Sequence, residues 1–240
     1  MLLSNSFSPG RGALQHAMQA LARLFADCRD VLFVPYASSN PDAYTEAMRE
    51  ILAALDVQVT GAHRTEDPMD ALAKADAVFV GGGNAFRLLR AVQRNGLLAA
   101  IRKRVQAGMP YLGVSAGANL ACPTIRTTND MPIVQPMSLS ALGLISFQIN
   151  PHYPDAHREG VSAVQARDQR LSEFLEENDV PVLGLCEGSW LHVRRGMHAH
   201  LGGTTSARLF TRGRGPRNVH PGDDLTDLLH TQPGYDAPTP

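Results

Sequence analysis

Tyr111-Leu112-Gly113-Val114-Ser115-Ala116-Gly117-Ala118-Asn119 is the stretch whose reading decides the fold. A short apolar run, 109–112, leads into Gly-x-Ser-x-Gly, and helix formers follow. That order predicts a strand, a sharp turn carrying an exposed serine, and a helix, the pattern of a nucleophile elbow. Glycines flanking Ser115 let backbone pack where a Cβ would clash. The free N–H groups at the start of the following helix suit a developing oxyanion. A plain strand–turn–helix junction would have the same local pattern, so the surrounding chain has to decide.

Working back from the elbow, the apolar run 77–80 enters Gly81-Gly82-Gly83-Asn84, and helical spacing follows over 85–94 and 97–107. Earlier still, 30–35 is a continuous β-branched and aromatic run suited to a strand covered on both faces. A helix is predicted over 40–55, opened by Asn40-Pro41-Asp42, and a strand over 57–62. A short helix follows at 69–75. Residues 1–6 read as a first strand, cut short at Ser8-Pro9-Gly10, with a helix over 12–27. Strands alternating with helices predict a doubly wound α/β fold with ligands beyond the carboxyl ends of the strands. Ser115 and the glycine run 81–83 both fall at such ends.

Working forward, 122–150 is less regular: 124–132 is polar with little periodicity and reads as a structured loop or short strands. A strand is predicted over 144–150, ending at Pro151-His152, then a helix over 167–178 and a strand over 180–185. A hairpin over 191–201, turning at Arg195-Gly196, and a last strand at 207–210 complete the pattern. Residues 231–240 read as a disordered tail. No repeat or linker divides the chain, so residues 1–230 are expected to form one catalytic domain.

Composition narrows the functional classes. The 240 residues carry 22 Lys and Arg against 23 Asp and Glu, a net charge of -1. That gives no electrostatic reason to expect nucleic acid or an anionic membrane as partner. No run approaches a bilayer span, and the first residues lack a secretory pattern, so a cytoplasmic protein is expected. The three cysteines, Cys28, Cys122 and Cys186, show no zinc or disulfide spacing. No metal and no cofactor are expected.

A serine hydroxyl needs a base, and the base needs an orienting acid. His152, just past a predicted strand end, and His157 are the candidate bases. Asp130 is a candidate acid because Pro132 restricts the backbone beside it. Asp155 and Glu187 are the alternatives.

Gly81-Gly82-Gly83-Asn84, the block 113–134 around Ser115 and Asp130, and Gln148-Ile149-Asn150-Pro151-His152 together resemble the peptidase E family of α-aspartyl dipeptidases. Leu3-Ser4-Asn5-Ser6 and Glu187-Gly188-x-Trp190 fit as well. The resemblance implies a flavodoxin-like three-layer sandwich with a mostly parallel sheet, similar to class I glutamine amidotransferases. It implies Ser115 as nucleophile, His152 as base and Asp130 as orienting acid, with the Gly83 and Ala116 amides as oxyanion hole. It implies metal-free cleavage of dipeptides with a free N-terminal aspartate. The sequence departs from the family pattern at Val114, where tryptophan is common, and at Gln135, where aspartate is common.

An aspartate pocket needs a cation, and arginine's planar fork suits a carboxylate. Arg126 and Arg167 are the expected candidates. Asn84 could bond the substrate or cap the next helix, and Glu187 could meet the substrate's α-ammonium. The partner expected is a small peptide, and a homodimer is compatible with the sequence. The rival readings are a cyanophycinase-like or other serine hydrolase of this fold, an α/β-hydrolase esterase, a metal protein using His152, Asp155 and His157, and a non-catalytic ligand-binding module. An esterase would space its acid further from the serine than the 15 positions (130 − 115) found here.

Overall fold

The apolar runs found in sequence have no polar alternation, so they need cover on both faces. In the computed structural model, which describes residues 1–6, 12–194 and 197–236, they form the centre of one sheet. Its strands in chain order are β1 (Leu2–Leu3), β2 (Asp30–Val34), β3 (Gln58–Gly61), β4 (Ala77–Val80) and β5 (Tyr111–Val114). All five run parallel in the spatial order β3-β2-β4-β5-β1. The turn expected at 8–10 lies outside the described residues.

The helices between them are α1 (Met18–Leu24), α2 (Pro41–Leu52), α3 (Pro68–Lys74), α4 (Ala85–Arg94), α5 (Leu97–Gln106) and α6 (Ala116–Ala121). Alternation along each strand assigns them to layers. Phe33, Phe79 and Leu112 pack with Leu21 of α1 and Met48 and Leu52 of α2. Leu32, Val34, Val78 and Val80 point the other way and pack with Leu72, Leu88, Ile101 and Leu120 of α3 to α6. The helix starts follow their sequence signals: the Asn40, Asp67 and Asn84 side chains each accept from a backbone amide two or three residues on. The predicted helix over 12–27 is shorter than expected, with a 3-10 turn at Gln15–Ala17 before α1.

Beyond α6 come β6 (Gln148–Tyr153), α7 (Ala156–Glu159), α8 (Val161–Glu177), β7 (Val182–Cys186), β8 (Ser189–Arg194), β9 (His198–Gly203), β10 (Ala207–Phe210) and β11 (Arg217–Val219). The antiparallel pair β8–β9 extends the first sheet beside β1, and the turn expected at 195–196 lies outside the described residues. A second sheet has the order β11-β10-β7-β6, with β6 and β7 parallel and α8 crossing between them. Leu171 and Leu175 of α8 seal this sheet against Tyr153, Val182 and Phe210. The division into two sheets, α7 and β11 are not signalled in the sequence, and α8 starts at Val161 rather than at the expected 167. In its first two turns Val161 is exposed and the other apolar side chains are small apart from Val164, which packs against the Leu171 cluster, so the helical spacing is weakly marked there.

The tail expected from 231 onward is in part built into the fold. Gly234 and Asp179 exchange backbone hydrogen bonds, and the Tyr235 hydroxyl accepts from Gln148 Nε2 at 2.7 Å. Asp236 takes a two-pronged bond from Arg126. An aromatic anchor and a bridge strand give this short polar stretch partners that its composition alone does not reveal. Residues 237–240 lie outside the described residues. Among the described residues no helix is long and apolar enough to cross a membrane.

Candidate active site

Ser115 sits where β5 ends and α6 begins, at φ 53° and ψ -109°. A side chain in that region is strained by about 1–3 kcal/mol and persists only where packing over-determines it. Here the glycines permit the packing. A Cβ on Gly113 would stand 2.5 Å from the Gly117 carbonyl oxygen, and one on Gly117 would stand 2.2 Å from the Val80 carbonyl oxygen. Both positions therefore accept glycine alone, which accounts for the Gly-x-Ser-x-Gly pattern in steric terms.

The glycine run after β4 approaches the serine from the neighbouring strand. A Cβ on Gly82 would lie 3.2 Å from that of Ser115. Gly83 has φ 131°, and a Cβ there would meet the Ala37 carbonyl oxygen at 2.5 Å. The turn is held from two sides: the Gly82 amide donates to the Tyr44 hydroxyl at 3.0 Å, and the Asn84 amide to Ala37 at 3.0 Å. Among the described residues neither the Gly83 nor the Ala116 amide has a backbone acceptor.

His152 lies in β6, not past its end as the sequence predicted. Between Asn150 and Tyr153 the strand advances three residues while β7 advances two, so the chain bulges there. The bulge puts His152 at φ 54° and swings its ring toward β5. Its backbone is gripped at both ends. The amide donates to Ser4 Oγ at 2.9 Å, and the carbonyl accepts from Arg167 Nη1 at 3.2 Å. Nε2 then lies 2.8 Å from Ser115 Oγ. His157, the rival base, opens α7, where its amide donates to the Asp155 side chain.

The carboxylate at Nδ1 belongs to Glu187, in the turn between β7 and β8, with Oε1 at 3.1 Å. Asp130, expected in that place, is engaged elsewhere. Its Oδ2 accepts from the Ala85 amide at 2.7 Å and from Thr128 Oγ1 at 3.0 Å. It therefore anchors the first turn of α4, directly after the glycine run. The reason is topological: β6 and β7 are neighbours, so a residue beyond β7 faces a bulge in β6. Glu187, expected to meet the substrate's ammonium group, thus has one carboxylate oxygen turned to the imidazole. Its second oxygen lies 3.8 Å from Arg158 Nη2.

The other substrate-binding expectations also change. Arg126 pairs with Asp236, contacts Asn178 Oδ1 at 3.2 Å and lies over the Tyr235 ring. Arg167 donates to Asn150 Oδ1 at 2.8 Å as well as to the His152 carbonyl, and burial lowers its pKa from the usual guanidinium value. Neither lines the cavities at Ser115. Asn84 does, but both its polar atoms are used within the chain: Oδ1 caps α4 at the Arg87 amide and Nδ2 donates to the Met131 carbonyl. The sequence reading missed Ser4, Tyr44 and Arg87. Ser4 and Tyr44 act through backbone atoms remote in sequence, while Arg87, one turn past the glycine run, was within reach of the strand-end rule.

Two cavities meet at Ser115. The larger, about 760 Å³, is lined by Ser38, Asn40, Tyr44, Arg87 and Glu187 among others. The smaller, about 310 Å³, includes Asn119, Thr128, Asn129 and Asp130. Gly83, Ser115 and His152 border both. A hydroxyl, an imidazole and a carboxylate in line, beside free amides, are equipped for acyl transfer.

The sequence profile of Peptidase family S51 matches residues 1–201. The chain is 52% identical over 239 residues to Peptidase E of Streptomyces coelicolor, covering all of this chain and 98% of that one. It is 47% identical over 216 residues to Peptidase E of Salmonella newport, covering 89% and 93%. Among solved structures, a putative peptidase E protein from Listeria monocytogenes superposes with TM-score 0.60 at 23% identity, covering 90% of this chain and 95% of that one. A peptidase from an acI-B1 actinobacterium gives 0.66 at 16% identity, covering 94% and 95%. These two support the α/β fold with its mostly parallel central sheet. With hydroxyl and imidazole in hydrogen-bond contact at the elbow and near full-length relatives of this kind, the chain belongs to peptidase family S51 and is a serine peptidase.

Proposed function

We propose that the protein hydrolyses dipeptides bearing a free N-terminal aspartate, with Ser115, His152 and Glu187 as its relay. The observation that carries the reading is the continuous contact from Ser115 Oγ to His152 Nε2 at 2.8 Å and from His152 Nδ1 to Glu187 at 3.1 Å. His152 takes the hydroxyl proton as Oγ attacks the scissile carbonyl. Glu187 holds the tautomer and stabilises the imidazolium. The Gly83 and Ala116 amides receive the oxyanion. The protonated His152 gives its proton to the leaving amine, and water then cleaves the acyl-enzyme with His152 again as base.

The dipeptide size and the aspartate preference draw on the relatives named Peptidase E and on the family resemblance of the sequence. A cavity of about 760 Å³ has room for a dipeptide. Three buried, unpaired cysteines support a reducing setting, in keeping with a cytoplasmic enzyme. Turnover of Asp-Leu beside Glu-Leu, Asn-Leu and N-acetyl-Asp-Leu tests the proposal. Selective cleavage of Asp-Leu, lost in Ser115→Ala, is expected. Equal turnover of all four would remove the aspartate specificity, and full activity in Ser115→Ala would remove the relay.

A further inference from the structure

We infer that Arg87 is the group that receives a carboxylate of the bound dipeptide. This rests on the dipeptidase reading above and names the residue that would give it selectivity. Both arginines expected from sequence are occupied: Arg126 by Asp236, and Arg167 by Asn150 and the His152 carbonyl. Arg87 lines the larger cavity together with Ser115 and His152. Among the described residues no carboxylate lies within ion-pair distance of it. Its guanidinium makes one long contact, Nη1 to the Ala37 carbonyl at 3.4 Å. A guanidinium has five N–H donors in a fixed fork, so most of its capacity is open to a ligand.

The position is also rigid. The Arg87 amide is bonded by Asn84 Oδ1, and the Asn84 amide shares the Ala37 carbonyl. The side chain therefore springs from the first turn of α4, whose preceding residues form the glycine turn beside Ser115. The charge of the two cavities divides along the same line. Among the described residues, the smaller has the Asp130 carboxylate on its wall and no lysine or arginine, so it disfavours an anion. The larger has Arg87, and the one carboxylate among its described lining residues, Glu187, is turned to the imidazole. A zwitterionic peptide seated across Ser115 would direct its anionic end to the Arg87 side.

Two carboxylates of Asp-Xaa could fill this role, the aspartate side chain and the C-terminus. They share the same chemistry, and the substrates separate them. The test measures kcat/KM of wild type, Arg87→Gln and Arg87→Lys on Asp-Leu, Asn-Leu and Asp-leucinamide. The expected result is a fall of about 10- to 100-fold for Asp-Leu in Arg87→Gln, the scale of one lost charged hydrogen bond, with partial recovery in Arg87→Lys. The penalty disappears for the substrate lacking the carboxylate concerned: Asn-Leu if it is the side chain, Asp-leucinamide if it is the C-terminus. An equal penalty on all three, or none, overturns the inference while leaving the dipeptidase reading intact. A wild type that turns over none of the three removes both.

Discussion

Glu187→Gln separates the relay drawn here from one built on Asp130. The lost interaction is a charge-assisted bond of 3.1 Å from the imidazole, with the histidine side chain 43% and the glutamate 31% exposed. Such a bond is worth about 1.5–3 kcal/mol. At about 1.36 kcal/mol per tenfold in rate, the middle to upper part of that range gives roughly 30- to 150-fold. A buried triad acid elsewhere has cost about 10⁴, and solvent access here places the effect well below that. The expected outcome is a kcat about 100-fold lower on Asp-Leu, KM within about threefold, and little change in Tm, since the bond orders no core residue.

Asp130→Ala should behave differently. It removes an acceptor from the Ala85 amide at 2.7 Å, which is a helix cap worth about 1 kcal/mol. Tm should fall by about 2–4 °C in a chain of this size. Activity should fall with it, because the cap steadies the turn that carries Gly83. The discriminating readout is the downfield proton on His152 Nδ1 in the NMR spectrum. It should persist in Asp130→Ala and vanish in Glu187→Gln. Full kcat in Glu187→Gln, or loss of that resonance in Asp130→Ala alone, would refute the assignment.

Three further outcomes are expected. Gly83→Ala should lower kcat by about 10²–10³-fold, the scale of one lost oxyanion donor, because its Cβ would stand 2.5 Å from the Ala37 carbonyl and displace the amide; steady-state kinetics on Asp-Leu check it, and an unchanged kcat would discount this amide. Arg126→Ala should lower Tm by about 2–4 °C, from roughly 1 kcal/mol of partly exposed ion pair and cation–π contact, and should leave the Asp-Leu to Asn-Leu selectivity ratio intact. His192 is pulled down to about 4, first by burial and then by nearby positive charge including His200 and Arg194. Its folded pKa lies below its unfolded value, so the unfolded chain binds the extra proton: stability from this group is full above about pH 6.5 and is lost as pH falls toward about 4. Melting temperatures across that window, less steep in His192→Gln than in wild type, are the measurement.

The parts of the site written in short range were legible in the sequence. Gly113 and Gly117, on either side of Ser115, are fixed by clashes within one strand–turn–helix and with the neighbouring Val80. The buried runs 31–34 and 77–80 declared a covered sheet by composition alone. What stayed hidden is set by pairing across the fold. Asp130 and Glu187 are both carboxylates in loops after plausible elements, and nothing local ranks them. Only the neighbouring of β6 and β7, with a bulge on the former, decides which one faces His152. The placement of Arg126 is hidden for the same reason, since its partners Tyr235 and Asp236 are about 110 positions away and sit in a segment that composition marks as loose.

The same geometry explains why two sheets are needed. Ser115 and His152 both hold positive φ, at 53° and 54°, and each such residue is costly without support on all sides. Ser115 draws its support from the first sheet, His152 from the second. Ser4, fully buried at the end of β1, joins them: its hydroxyl accepts from the His152 amide and donates to the Leu185 carbonyl of β7, while its amide donates to the Ser189 carbonyl of β8. A small side chain with one donor and one acceptor is what this seam can hold. A bulkier residue would push β6 away from β5, and an apolar one would leave the His152 amide unpaired in the interior at about 1–3 kcal/mol. The contact between the Ser115 hydroxyl and the His152 imidazole is thus a property of the seam, with Ser4 holding the His152 backbone in place.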